Sequence, residues 1–116
     1  MSTDIGHYME VRRIEDMTGG WFVGNFDPSV LRTPDFEVGY KFHPKGEKWD
    51  KHYHKKGIEI TYLIRGKMQI QNRILTSGDI FTIFPNEIAD PVFLEDCEVV
   101  IIKSPSVVGD KYIVEE

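Results

Sequence analysis

Two histidines, His52 and His54, stand one residue apart, and Glu59 follows five residues after the second. In an extended segment, residues i and i+2 point to the same side, so both imidazoles can grip one small object between them. If the chain turns at Lys55, Lys56 and Gly57 and returns antiparallel, Glu59 comes to lie beside the pair. Two imidazoles and a carboxylate converging in this way are the donors of a divalent-metal site with open positions for a substrate or O2. The alternative for the same residues is a metal-free pocket or a structural pair, with Glu59 an ordinary strand glutamate.

The surroundings of this cluster are basic although the chain as a whole is acidic. Net charge is −5, which argues against nucleic acid as a partner, because that binding rests on neutralising phosphates with a basic surface. Between residues 41 and 56, however, six lysines (Lys41, Lys45, Lys48, Lys51, Lys55 and Lys56) face only Glu47 and Asp50, a local balance of +4. Such a rim is either a solvated loop or a funnel for an anionic small molecule such as a phosphate or carboxylate. Trp49 flanks the histidines and can stack on a sugar or aromatic ring, whereas Tyr53 alternates to the opposite side.

The elements that must position these residues are strands. From residue 36 onward, β-rich runs recur at short intervals: 36–42, 51–54, 58–64, 67–71, 74–75, 80–84, 90–94 and 98–103, with an edge strand at 112–114. The breaks carry turn chemistry, among them Pro44-Lys45-Gly46, Gln71-Asn72-Arg73, Ser77-Gly78-Asp79 and Pro85-Asn86. This meter indicates a closed barrel or a double-sheet sandwich. Ahead of it, residues 1–10 are polar and read as a flexible N-terminus, with His7 a surface residue. Residues 11–17 suit a short strand or a helical turn, and residues 21–23 a brief strand. One helical turn is expected at residues 27–31, with Asp27 as N-cap and Pro28 in the first helical position.

A length of 116 residues fits one domain, taken as residues 11–116, and 41% hydrophobic with 28% charged residues is the composition of an ordinary soluble chain. No apolar run suits a signal peptide or a membrane span, so a cytoplasmic protein without membrane partners is expected. Cys97 is the only cysteine and lies between Asp96 and Glu98, which disfavour a thiolate; neither a disulfide nor a thiolate metal site is available.

Parity within residues 58–64 sets a constraint. Ile58, Ile60, Tyr62 and Ile64 share one strand face while Glu59, Thr61 and Leu63 share the other. Both faces are occupied if the barrel holds a polar site in its lumen and the isoleucine face is covered by the N-terminal strands or by a partner subunit, and a homodimer is expected. The lumen draws on residues such as Tyr40, Phe42, Met68, Ile70, Phe81, Ile83, Phe93 and Ile101, or these simply pack as core.

The spacing of Gly46, His52, His54, Glu59 and Gly66 resembles the first motif of the cupin superfamily: glycine, five residues, HxH, three or four residues, glutamate, six residues, glycine. The resemblance implies an all-β, double-stranded β-helix or jelly-roll barrel over most of the chain. Where the second motif is due, Gly78-Asp79 and Pro85 match with one extra residue between them, Glu87 replaces a glycine and Leu94 an asparagine. Asp90 stands where the family has a third ligating histidine. The resemblance therefore implies His52, His54 and Glu59 as metal ligands, with Asp90 as a substituted fourth. Otherwise Asp90 caps a turn beside Pro91. His43 is a candidate substitute ligand, or else a hydrogen-bonded residue of the barrel mouth. The metal is Fe, Mn, Zn or Ni.

The function expected from these residues is metal-dependent catalysis on a small polar molecule, sugar-like or carrying phosphate or carboxylate, by isomerisation or dioxygenation. The alternatives are a non-catalytic small-molecule or sugar-binding module and a structural dimer with a vestigial site. No DNA-reading segment accompanies the barrel.

Overall fold

A computed structural model describes residues 8–115. Of the expected flexible N-terminus, residues 1–7, His7 included, lie outside the described residues; residues 8–13 have no regular secondary structure and are exposed. Eleven strands follow: β1 (Trp21–Gly24), β2 (Leu31–Arg32), β3 (Glu37–His43), β4 (His52–Tyr53), β5 (Ile58–Arg65), β6 (Lys67–Ile70), β7 (Arg73–Thr76), β8 (Ile80–Ile83), β9 (Val92–Phe93), β10 (Cys97–Ser104) and β11 (Tyr112–Ile113). The expected meter matches them to within a residue or two at most ends. The chain is all-β, with the double-stranded β-helix arrangement.

A six-stranded sheet has the order β2-β1-β3-β10-β5-β8, a three-stranded sheet the order β7-β6-β9, and β4 pairs with β11. The core lies between them: Leu63, Cys97 and Val99 of the large sheet meet Met68 and Phe93 of the small one, and Ile70, Ile83 and Ala89 extend it. β6 and β7 are joined by a tight turn. Gln71 and Asn72 both take positive φ (51° and 61°), the conformation of a two-residue hairpin turn between β6 and β7.

The helical expectation for residues 27–31 is overturned. That stretch bends and enters β2, because its backbone bonds to β1 instead of to itself: Val30 N–H donates to Phe22 O (2.8 Å) and Thr33 N–H to Gly24 O (3.2 Å). The short helical turns are 3-10 and lie earlier, at Ile14–Asp16 and Thr18–Gly20. Among the described residues no helix is long and apolar enough to cross a membrane.

Alternation along β5 runs as the sequence indicates. Thr61 and Leu63 are buried and Glu59 faces inward with them, while Ile58, Ile60, Tyr62 and Ile64 are each about two-fifths exposed on the outside. β1 and β2 do not cover that outer face; they extend the same sheet at its edge. Tyr40 and Phe42 also turn outward, Tyr40 donating its hydroxyl to Glu98 and Phe42 being about half exposed, so neither lines the lumen.

Candidate metal centre and cavity

A cavity of about 260 Å³ opens between the sheets, and His52, His54 and Glu59 all line it. They are brought together, but not by the expected hairpin. β4 and β5 are not paired: β4 bonds to β11 near the C-terminal end, and β5 lies between β10 and β8. His52 is clamped from both sides, opposite Ile113 on one edge and Ala89 on the other, where its amide donates to Ala89 O (3.0 Å) and its carbonyl accepts from Ala89 N–H (2.7 Å).

Both imidazoles are nearly fully buried and oriented in the same way. His52 Nδ1 donates to the Asp50 carbonyl at 3.0 Å, and His54 Nδ1 donates to the Asp110 carbonyl. A carbonyl only accepts, so each Nδ1 carries the proton and each Nε2 is directed elsewhere. His54 Nε2 lies 3.4 Å from Glu59 Oε1. Among the described residues no hydrogen bond reaches His52 Nε2. Burial pushes the His52 pKa down, aided by the charge of Lys111. The hydrogen bond to Glu59 raises that of His54 against its burial. Burial alone would raise the Glu59 carboxyl, but His54 and Lys103 outweigh it and hold the group below its ordinary value.

These residues fit a metal by the chemistry of the donor set. Tying one ring nitrogen to a backbone carbonyl while the other faces the ligand is the outer-shell arrangement that orients metal-binding histidines. Among the described residues His52 Nε2 is moreover a buried polar atom without a protein partner, the kind of atom that takes one from a ligand, ion or water. Among the described residues, no three His, Cys, Asp or Glu side chains are already drawn together at metal-holding distances. The Glu59 oxygen is also 3.9 Å from the Lys103 ammonium.

Asp90 is not brought to this group. Its carboxylate accepts the Gln71 amide hydrogen at 3.0 Å and so ties down the β6–β7 turn. Ala89 and Pro91 line the cavity instead, because strand alternation sends the residue between them outward. The wall position bridged to His52 thus carries a methyl group. His43 does line the cavity; its Nδ1 donates to Glu47 at 2.6 Å, the same carboxylate accepts from Trp49 Nε1 at 2.6 Å, and its ring stacks on Phe93.

Of the six lysines between residues 41 and 56, only Lys41 lines the cavity; Lys103 and Lys111 join it from elsewhere in the chain. Lys103 had a signal in the sequence, since it continues the inward parity of Val99 and Ile101. Lys111 and Asp110 had none. Asp110 is the least anticipated part of the site: its carboxylate accepts the backbone N–H groups of Lys55 (2.9 Å), Lys56 (3.0 Å) and Gly57 (2.9 Å), while its carbonyl holds His54. Trp49 lines the cavity as expected, and Tyr53 faces away, stacked on Tyr112.

No protein-family model and no curated protein matches the sequence. Solved structures do. KdgF from a Halomonas species aligns with a TM-score of 0.60 at 26% identity, over 66% of this chain and 74% of that one. A Klebsiella pneumoniae protein with a double-stranded β-helix domain aligns with a TM-score of 0.65 at 19% identity, over 94% and 100%. The DMSP lyase DddQ from Ruegeria pomeroyi aligns with a TM-score of 0.66 at 11% identity, over 79% of this chain but only 48% of the lyase. Further matches are proteins with cupin or cupin-like domains.

Proposed function

Taking the cupin fold of this chain as the premise, we propose that the protein is a metal-dependent enzyme acting on a small polar molecule in the cavity. His52 Nε2, His54 Nε2 and Glu59 would hold a divalent Fe, Mn, Zn or Ni ion. The observation that carries this reading is the common orientation of the two buried imidazoles, each with Nδ1 anchored to a backbone carbonyl. A metal there supplies Lewis acidity toward a carbonyl or hydroxyl oxygen of the substrate.

The chain's own residues supply the rest. His43 is the proton carrier best placed in the cavity wall, because Glu47 fixes its tautomer and Phe93 its ring plane. Tyr62 faces outward and Tyr40 is engaged with Glu98, so neither serves. Met68, Ile70, Phe81 and Phe93 supply the apolar part of the cavity wall. Proton transfer at a carbon next to a polarised carbonyl, an isomerisation, is the reaction class these groups support. The proximity of the Lys103 ammonium to Glu59 favours a second reading, a non-catalytic binding module with no resident metal.

Metal analysis of protein purified without chelator separates the two. About one equivalent of a transition metal is expected, with a raised Tm on adding it back, and His52→Ala or His54→Ala each losing most of the metal. Less than about a tenth of an equivalent, with Tm indifferent to Fe(II), Mn(II), Ni(II) and Zn(II), overturns the metal reading.

A further inference from the structure

We propose that Lys41, Lys103 and Lys111 form a carboxylate-binding subsite in the cavity, and that the molecule bound there is a small organic acid. This rests on the cavity being a ligand site, as read above, but not on the metal.

Register places the first two lysines. On the inner face of the large sheet, β10 sets Lys103 opposite Glu37 of β3 and opposite Glu59 of β5, and sets Val99 opposite Lys41. Between Lys41 and Lys103 lies the Trp21 ring, their ammonium groups 5.4 and 5.0 Å from its centroid. Gly39 makes room for it: a Cβ there would stand 2.6 Å from the indole. Its φ is not in the left-handed region, so the glycine is required by space and not by backbone conformation. Lys111 enters from the C-terminal segment, with Nζ 4.0 Å from the centroid of Trp49.

Three ammonium groups line this cavity against one carboxylate, Glu59. Lys103 has two acidic neighbours, Glu37 and Glu59, each at 3.9 Å. Among the described residues, neither Lys41 nor Lys111 has a carboxylate within ion-pair distance. Glu47, the acidic group that attracts Lys41, is already bonded to His43 and Trp49. Burial lowers the pKa of Lys41, and Lys103 and Lys111 lower it further; Lys111 is lowered by burial and then by Lys103. Gathering like charges at a partly desolvated wall is unfavourable unless an anion completes it. Lysines are point charges that do not impose the forked geometry of arginine, so they suit a carboxylate that also reaches the histidines with its other oxygens. The cavity volume, about 260 Å³, is at the small end for ligand pockets and suits a small acid.

The two tryptophans of the chain, Trp21 and Trp49, both line the cavity, so intrinsic fluorescence reports its occupancy. The experiment titrates malate, its uncharged diamide malamide and inorganic phosphate into the protein as purified and after stripping metal over a chelating resin. Malate is expected to give a saturable change in both preparations and malamide none. Lys41→Met and Lys111→Met should each weaken malate by about tenfold or more, while Lys45→Met, at an exposed loop position, leaves it unchanged. Lys111 lies on the C-terminal segment outside the strands, so its variant keeps the test valid if Lys41→Met fails to fold. Equal responses to malate and malamide, indifference to both cavity lysines, or a response to phosphate alone overturns the subsite. Malate binding to protein that never holds metal supports the subsite while the metal reading falls. Metal binding without malate binding does the reverse.

Discussion

The two sides of the cavity are built from different chemistry. The segment around β4 and β5 presents His52, His54 and Glu59, whereas the segment leading into β9 presents Ala89, Pro91 and Phe93, carbon only. The difference lies in one step of strand parity: Asp90 sits between two cavity-lining residues and spends its carboxylate on the Gln71 amide. A metal held here would therefore take three protein donors from one side and leave its remaining positions open toward the other, where a substrate oxygen can approach.

The largest effect is expected at the support of the donor side. Asp110→Ala orphans the amides of Lys55, Lys56 and Gly57, and should lower stability in urea unfolding by about 2–4 kcal/mol with a parallel loss of metal. The effect has a pH signature. Burial pushes the Asp110 carboxyl up, but the three amides and the charge of His54 outweigh it and hold its pKa below the ordinary value. A depressed pKa means that the unfolded chain takes up the proton first as pH falls. The stabilisation is then present at neutral pH and is lost below about pH 4. The gap between wild type and Asp110→Ala should be widest near neutrality and close in acid; a gap that widens in acid would show that the carboxylate is not the source.

A smaller effect should follow from adding a donor to the carbon side. Ala89→His places an imidazole on the cavity wall beside His52 and should tighten Zn(II) by about tenfold or more in competition with a chromophoric chelator, though at about 1–3 kcal/mol of stability for the larger side chain. Asp90→His, at the outward position, should leave Zn(II) affinity unchanged. If Asp90→His tightens binding and Ala89→His does not, the assignment of the two positions is reversed. The smallest effect is expected for Asp90→Ala: about 1 kcal/mol of stability from the lost hydrogen bond to Gln71, with metal content unaltered.

Much of this was legible in the chain. The strand meter, the inward parity of Glu59, Thr61 and Leu63, and the HxH spacing of His52 and His54 all follow from the two-residue period of an extended backbone, which is a local property. That period does not bear on residues 27–31, where the capping chemistry of Asp27 and Pro28 suited a helix but β1 took the hydrogen bonds. It was silent on Asp90, since a ligand and a turn cap differ by one residue of register that no local rule sets.

What the sequence determined by itself was the kind of barrel and which histidines face its lumen. The tertiary structure decided the company they keep. β11 pairs with β4 across some sixty residues, carrying Asp110 beneath the loop that follows His54 and Lys111 into the cavity. β10, inserted between β3 and β5, sets Lys103 between Glu37 and Glu59. Such pairings are chosen by the packing of whole sheets and not by neighbouring residues, so the address of Lys111 in the chain does not reveal that it faces this cavity.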